Sequence, residues 1–162
     1  MYANKVVRRA PATDAQITGV ETRFGGALPA DYRRFLQSVN GGSPMAVGVQ
    51  PPADPDADDP RRCLVGHPAY PFPDYAFEVE CFYGLGSPDA YEVESYSAWP
   101  SEVLGREVVA IAGNGYGDHL LLLAPGDPAV YQWIHDEDVP TLRMASSFTE
   151  LLSLVRPATE SA

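Results

Sequence analysis

The chain has 162 residues, and 11 lysines and arginines against 22 aspartates and glutamates give it a formal net charge of −11. This length suits one domain with a hydrophobic core and is short for two, so we predict a single domain over residues 1–162. The negative charge argues against nucleic-acid binding, because the phosphates would repel the protein; it favours a basic partner or simply high solubility.

The first predicted elements are two short amphipathic helices near the N-terminus. Thr13 and Gln16 have the spacing of a capping box, and Gly25-Gly26 supplies a C-terminal stop. The apolar stripe of this first helix is Ile17, Val20 and Phe24. Pro29 suits the start of a second helix, which ends at Asn40-Gly41-Gly42. The apolar stripe of the second helix is Tyr32, Phe35, Leu36 and Val39.

The character of the chain changes between residues 43 and 73. This stretch contains the sequence QPPADPDADDPRR, which is rich in proline and aspartate and has little to bury. We therefore predict an irregular surface loop over residues 43–73. Its acidic residues are Asp54, Asp56, Asp58 and Asp59.

Alternation of apolar and polar residues returns after this loop. Phe77, Val79 and Cys81 alternate with two glutamates, which predicts a strand with one buried face. A short helix is expected within residues 89–98, before Pro100. Three strands follow, at residues 107–112, 119–124 and 129–135. Their connecting sequences, GNGYGD and PGDP, are typical of turns and indicate antiparallel pairing.

The last predicted element is an amphipathic helix near the C-terminus. Ser147 and Glu150 have capping-box spacing. The apolar residues of this helix are Phe148, Leu151, Leu152 and Val155. The order of elements predicts an α+β fold, with a mixed, largely antiparallel sheet on which two N-terminal helices and one C-terminal helix pack.

Location follows from what the sequence lacks. Two cysteines, Cys63 and Cys81, are too few for a disulfide framework. The N-terminal stretch has no apolar core of the kind found in secretion signals, and the longest apolar run, residues 120–124, is too short to span a bilayer. We expect a cytoplasmic protein with no membrane partner.

The stretch GNGYGDHLLLL, at residues 113–123, carries three glycines, Gly113, Gly115 and Gly117. A dinucleotide-binding loop needs a different glycine spacing and a following helix, and a phosphate-binding Walker loop needs lysine where Asp118 stands. A calcium-binding repeat would need glycine at Tyr116 and further copies. We therefore predict a hairpin whose glycines permit positive φ, with Asp118 capping the turn through backbone amides.

The histidines and cysteines offer few candidates for chemistry. Cys63 and His67 have metal-ligand spacing, but no second pair completes a zinc site, so we expect no metal and no cofactor. His135 and Asp136 could form an acid–base pair, yet adjacent residues of a strand point to opposite faces. Cys81 lies on the apolar phase of its strand, which favours a buried side chain over a nucleophile.

Carboxylates are abundant in the second half of the chain. They include Glu92, Glu94, Asp136, Glu137 and Asp138. A glycosidase needs two carboxylates about 5–10 Å apart across a cleft, and no pair stands out. A solvated acidic surface or a docking face for a basic protein remain open.

The two tryptophans, Trp99 and Trp133, are candidates for core residues or for anchors of a binding surface. Trp133 lies in phase with Tyr131 on its strand, which favours a place in the core.

The ordered series of segments resembles the SUKH superfamily, which includes bacterial immunity proteins and the yeast cell-wall assembly regulator. The family's opening helix pair is similar to ITGVETRFGGALPADYRRFLQSVNGG. Its later turn, strands and closing helix are similar to FYGLG, VVAIAGNGYGDHLLL, AVYQWIHDED and SFTELLSLV. The resemblance covers residues 14–155, which we take as the core, and residues 51–62 are its least similar part and are interpreted as an insertion.

This resemblance implies an α+β fold and a binding role without catalytic residues. Many bacterial relatives neutralise a toxin domain by binding it, and those toxins are often nucleases. A nuclease surface built for phosphates is basic, so a protein of net charge −11 would be steered onto it. The resemblance thus implies a basic protein toxin as partner.

Three functions stay open at this point. The first is an immunity protein that occludes a toxin, with Asp118, Asp136, Glu137 and Asp138 as candidate contacts and the Asp54–Asp59 run as a second candidate. The second is a scaffold or regulatory module of the same fold that binds a cellular partner. The third is a hydrolase that uses unassigned carboxylates. We expect the first and therefore no enzymatic activity; oligomeric state stays open.

Overall fold

A computed structural model describes residues 10–44, 62–70, 75–86, 91–137 and 141–158. The described residues form four helices: α1 (Asp14–Phe24), α2 (Ala30–Ser38), α3 (Val93–Leu104) and α4 (Phe148–Leu154). Their strands are β1 (Cys63–Val65), β2 (Phe77–Glu78), β3 (Cys81–Phe82), β4 (Val109–Gly113), β5 (His119–Leu122), β6 (Val130–Trp133), β7 (Thr141–Ala145) and β8 (Val155–Pro157). The predicted α+β class is confirmed, although the strands form two sheets.

Helix α1 begins and ends where its caps predict. The hydroxyl of Thr13 accepts a hydrogen bond from the backbone of Gln16, and the Gln16 side chain accepts one from the Thr13 backbone at 2.8 Å. Gly25 closes α1 in the left-handed conformation, with φ 84°. Two of the unsatisfied amide groups at the start of α1 are thereby used, so the sequence itself fixes this end of the helix.

The larger sheet has the strand order β3-β4-β5-β6-β7, and each neighbouring pair is antiparallel. Its three central strands are those predicted from alternation and turn chemistry. Strand β7 was not predicted, because its sequence TLRMA is short and has a weak apolar pattern. It is held by pairing with β6, from Val130↔Ala145 to Trp133↔Thr141.

The smaller sheet, with the order β2-β1-β8, corrects two predictions. Strand β1 lies inside the stretch predicted as an irregular loop, and Val155 begins β8 instead of extending the closing helix. The two strands pair antiparallel, from Cys63↔Pro157 to Val65↔Val155. The two strands are far apart in the chain, so no local sequence pattern predicts that they pair.

The segment at residues 77–82 corrects a third prediction. It was predicted as one strand, but β2 belongs to the smaller sheet and β3 to the larger one. Between them, the Val79 amide donates to the Cys63 carbonyl at 2.9 Å and the Glu80 amide donates to the Gly113 carbonyl at 3.0 Å. One extended segment therefore changes sheets at Glu80, which places this carboxylate beside the glycine turn.

The third helix is longer than predicted, since it runs through Pro100 to Leu104. A proline within a helix removes one backbone donor and disfavours the helix. Pro100 is buried, so packing of the helix on the sheet outweighs that loss.

Helices cover both faces of the larger sheet. On one face, Tyr96 of α3 stacks on Tyr83 with ring centroids 4.3 Å apart. On the other, Phe82 contacts Phe35 of α2 and Phe148 of α4 at 5.6 and 6.0 Å. The end of this sheet where β4 turns into β5 and β6 ends carries the exposed residues Tyr116, Asp136 and Glu137. None of the helices in the described ranges is long and apolar enough to cross a membrane.

Candidate functional site

The glycine run forms the turn of the β4–β5 hairpin, in which Gly113 pairs with His119. Of its three glycines only Gly117 has a positive φ, at 100°. Gly113 is required for a different reason, because a Cβ there would collide with the hydroxyl of Tyr83. The prediction that conformational freedom explains all three glycines was therefore wrong for Gly113 and Gly115.

Asn114, and not Asp118, caps this turn. Its side-chain oxygen accepts hydrogen bonds from the backbone amides of Tyr116, at 2.9 Å, and Asp118, at 3.0 Å. This is the local pattern by which asparagine replaces a backbone acceptor in a turn. The predicted capping role of Asp118 is corrected accordingly.

Asp118 instead links the β4–β5 turn to the turn that follows β6. Its carboxylate accepts hydrogen bonds from the backbone amide of His135, at 3.2 Å, and from Asn114, at 3.1 Å, and it lies 2.8 Å from Nδ1 of His135. Burial alone would raise the pKa of Asp118, but the hydrogen bonds from His135 and Asn114 outweigh it and lower that pKa. The bond to Asp118 in turn raises the pKa of His135. The partner of His135 is thus Asp118, and not the neighbouring Asp136.

We call the surface built by these turns the turn face, and define it as residues 114–118 and 135–137 together with Glu80 and Trp99. Asp136 and Glu137 are exposed on it, directly beyond the His135–Asp118 contact. The structure therefore brings together three of the predicted contacts, Asp118, Asp136 and Glu137. The other predicted contacts lie outside the described residues: Asp138, Asp54, Asp56, Asp58 and Asp59.

Two residues of the turn face were not selected from the sequence. Glu80 is exposed, and its carboxylate lies 3.3 Å from the position that a Cβ on Gly115 would take. Tyr116, at the tip of the turn, is 74% exposed. Nothing in the sequence marked either residue as functional, because a glutamate on the polar phase of a strand and a tyrosine in a turn are both common.

The two tryptophans have different environments. Trp133 is buried, which confirms its predicted place in the core. Trp99 is 47% exposed and meets Trp133 edge-on at 5.0 Å, with the His135 ring 5.8 Å away. An indole that is partly exposed but fixed by neighbouring rings has the properties of an anchor in a protein interface.

His119 lies beneath the turn face and is 4% exposed. Its ring stacks on Trp133 at an angle of 3°, and its Nδ1 is 2.9 Å from the Tyr83 hydroxyl. Burial lowers the pKa of His119 to about 4. The imidazole is therefore neutral near pH 7, and its place in the sheet makes it part of the core.

The described residues contain no group of three or more histidines, cysteines, aspartates or glutamates placed to hold a metal ion. His67 illustrates the point, since its Nδ1 accepts a hydrogen bond from the Ala69 amide and its ring packs on Tyr70 at 4.6 Å. What the turn face offers is carboxylates, an aromatic anchor and fixed turns, which are the components of a binding surface.

Comparison with known proteins adds one match. The sequence model of the SMI1 / KNR4 family (SUKH-1) matches residues 11–154, which is most of the chain. No curated protein matches the chain.

Proposed function

Because the chain belongs to the SMI1 / KNR4 family (SUKH-1), we propose that it is an immunity protein that binds a cognate toxin domain and neutralises it by occlusion. The toxin domain is basic and of the nuclease type, and the inhibition is stoichiometric. The protein acts without catalysis or a cofactor, in the cytoplasm, and without binding nucleic acid or a membrane.

The observation that carries this proposal is the composition of the turn face. The turn face contains three exposed carboxylates, Asp136, Glu137 and Glu80, and an aromatic anchor, Trp99, which is 47% exposed. Basic nuclease surfaces attract carboxylates, and the net charge of −11 extends that attraction over the whole molecule. A partly exposed aromatic side chain can anchor a protein partner, and carboxylates on the same surface speed the encounter with a basic one.

The fixed geometry of the turn face also supports binding. The Asp118–His135 contact and the two hydrogen bonds to Asn114 hold both turns in place before any partner arrives. A surface that is already ordered loses less conformational entropy on association, so more of the contact energy appears as affinity.

Growth of cells that express a candidate toxin domain, with and without this protein, tests the proposal. The first candidate to try is any toxin-like C-terminal domain found in the product of a neighbouring gene, and rescue of growth is the expected result. A Trp99→Ala variant should lose rescue, whereas Val103→Ala, at an exposed apolar residue one helical turn further along α3, should retain it.

Failure of rescue with both proteins soluble would overturn the immunity function. Retrieval of a cellular partner by the same turn face would then favour the scaffold or regulatory role. Catalytic turnover by the purified protein, lost when two carboxylates are replaced, would favour a hydrolase.

A further inference from the structure

A cavity of about 330 Å³ opens beside the glycine turn, between that turn and helix α3. Three tyrosines form one wall, namely Tyr83, Tyr91 and Tyr96. Their rings are nearly parallel: Tyr96 lies 4.3 Å from Tyr83 and 6.1 Å from Tyr91. Tyr91 and Tyr96 are only partly buried, so aromatic surface remains accessible in the cavity.

All three glycines of the turn also line this cavity. A side chain at Gly115 would project beside Glu80, and one at Gly117 would project beside His135. A side chain at Gly113 would displace the Tyr83 hydroxyl. Gly115 has no positive φ and no close backbone neighbour, so its missing side chain is what keeps the space beside Glu80 open.

Glu80 supplies the only charged side chain among the described residues that line the cavity. Within the described part of the chain, no arginine, lysine or histidine forms an ion pair with it. A carboxylate beside aromatic rings attracts a cation, because the charge and the ring quadrupoles act in the same direction.

The cavity volume limits what can enter. About 330 Å³ lies at the lower end of the range for ligand pockets, which suits one inserted side chain better than a folded element. Arginine fits this site best, because its planar guanidinium stacks on aromatic rings while it donates hydrogen bonds to a carboxylate.

We propose that this cavity, which we call the tyrosine pocket, binds an arginine side chain of the partner protein through Glu80 and the rings of Tyr91 and Tyr96. The inference rests on the proposed function for the nature of the partner, a basic protein. It adds the specific contact by which such a partner would be recognised.

The pocket can be tested without any partner by titrating the protein with N-acetylarginine amide and following the tyrosine ring protons by NMR. We expect saturable shifts at Tyr91 and Tyr96 with a Kd of about millimolar, which is ordinary for so small a ligand. N-acetylcitrulline amide has the same shape without the charge, and it should give no saturable shift.

Three variants complete this test. Glu80→Gln should weaken arginine binding about fivefold or more, since it removes the charge but keeps the shape. Gly115→Leu should abolish binding by filling the pocket, at a backbone position without a positive φ. Glu102→Gln, an equal charge change at an exposed site of α3 outside the pocket, should bind as the unchanged protein does.

Equal shifts with citrulline, or equal losses in Glu80→Gln and Glu102→Gln, would overturn the inference. Because this titration contains no toxin, its outcome is separate from the growth experiment. Rescue without arginine binding would retain the immunity function and reject the pocket, and arginine binding without rescue would do the reverse.

Discussion

At the scale of single residues, His119 shows how burial makes an ionisable group part of the core. The ring is enclosed by Trp133, Tyr83 and Tyr96, and its Nδ1 lies 2.9 Å from the Tyr83 hydroxyl. The sequence places this histidine at the start of a strand, but it does not show that three aromatic rings converge on it. Its neutral state follows from that enclosure.

We predict that His119 makes the protein sensitive to acid. Its folded-state pKa of about 4 is below the ordinary 6.5, so as the pH falls the unfolded chain takes up the proton first. The free energy of unfolding should therefore decrease from pH 6.5 to pH 4, by on the order of 3 kcal/mol in all. Urea unfolding at pH 7 and pH 5, followed by tryptophan fluorescence, measures this decrease.

The matched variant is His119→Asn, whose side-chain amide can still meet the Tyr83 hydroxyl but does not titrate. It should be less stable at both pH values, because it loses the stacking on Trp133, yet its decrease between pH 7 and pH 5 should be smaller by about 2 kcal/mol. An unchanged decrease would show that other groups cause the acid sensitivity.

Gly113 gives a second prediction at this scale. Gly113→Ala should lower the free energy of unfolding by about 1–3 kcal/mol, because the added methyl group displaces the buried Tyr83 hydroxyl and approaches His119. Gly115→Ala is the control, since its Cβ meets only the exposed Glu80 carboxylate, at 3.3 Å. Thermal unfolding of the two variants compares them, and equal losses would contradict this role of Gly113.

At the scale of elements, the N-terminus of the closing helix α4 is held partly by a residue of another helix. Ser147 caps α4 as predicted, by accepting from the Glu150 amide at 3.1 Å, but the Glu150 carboxylate accepts from Ser146 instead of completing a capping box with Ser147. Asp31 of α2 supplies a further acceptor, to the amide of Thr149 at 2.8 Å and to its hydroxyl at 3.0 Å. The N-terminus of α4 is thus tied to α2.

We predict that Asp31→Ala lowers the free energy of unfolding by about 1–2 kcal/mol, because it leaves the Thr149 amide without this acceptor. Asp31→Asn should cost less, since its amide oxygen still accepts a hydrogen bond. Chemical unfolding of both variants tests this order of effects. Equal losses would mean that the charge, and not the hydrogen bond, is what matters.

The strand at residues 77–82 shows where element prediction reaches its limit. Its alternation is real, since Phe77, Val79 and Cys81 are all buried. Alternation reports which side chains are buried but not which strand lies alongside. The change of sheets at Glu80 depends on hydrogen bonds to Cys63 and Gly113, which are distant in the chain.

At the scale of the whole molecule, the net charge of −11 is distributed so that the turn face carries part of it on exposed side chains. Opposite charges steer association over distances comparable to the Debye length, about 8–10 Å at ordinary salt. Exposed carboxylates therefore raise the association rate with a basic partner more than they lower the dissociation rate.

We predict that Glu137→Lys slows association with the toxin domain about threefold to tenfold at low salt, with little change in the dissociation rate. Glu102→Lys makes the same charge change on α3 outside the turn face and should slow association less. Stopped-flow kinetics at two salt concentrations separate local from global effects. Equal slowing by both variants would place the binding face elsewhere.

The sequence by itself determined the presence of the four helices, the caps of α1, the central hairpins, the burial of Trp133, the α+β class and the resemblance to the SUKH superfamily. These properties depend on neighbouring residues, whose periodicity, turn chemistry and order are read directly from the chain.

Only the tertiary structure decided the pairing of β1 with β8, the bond between Asp118 and His135, and the tyrosine pocket beside Glu80. Each of these joins residues from separate segments, and many alternative pairings would satisfy the same local patterns. The physical reason is that buried polar groups need hydrogen-bond partners and apolar side chains need close packing. Partners from distant segments meet only when the whole chain packs.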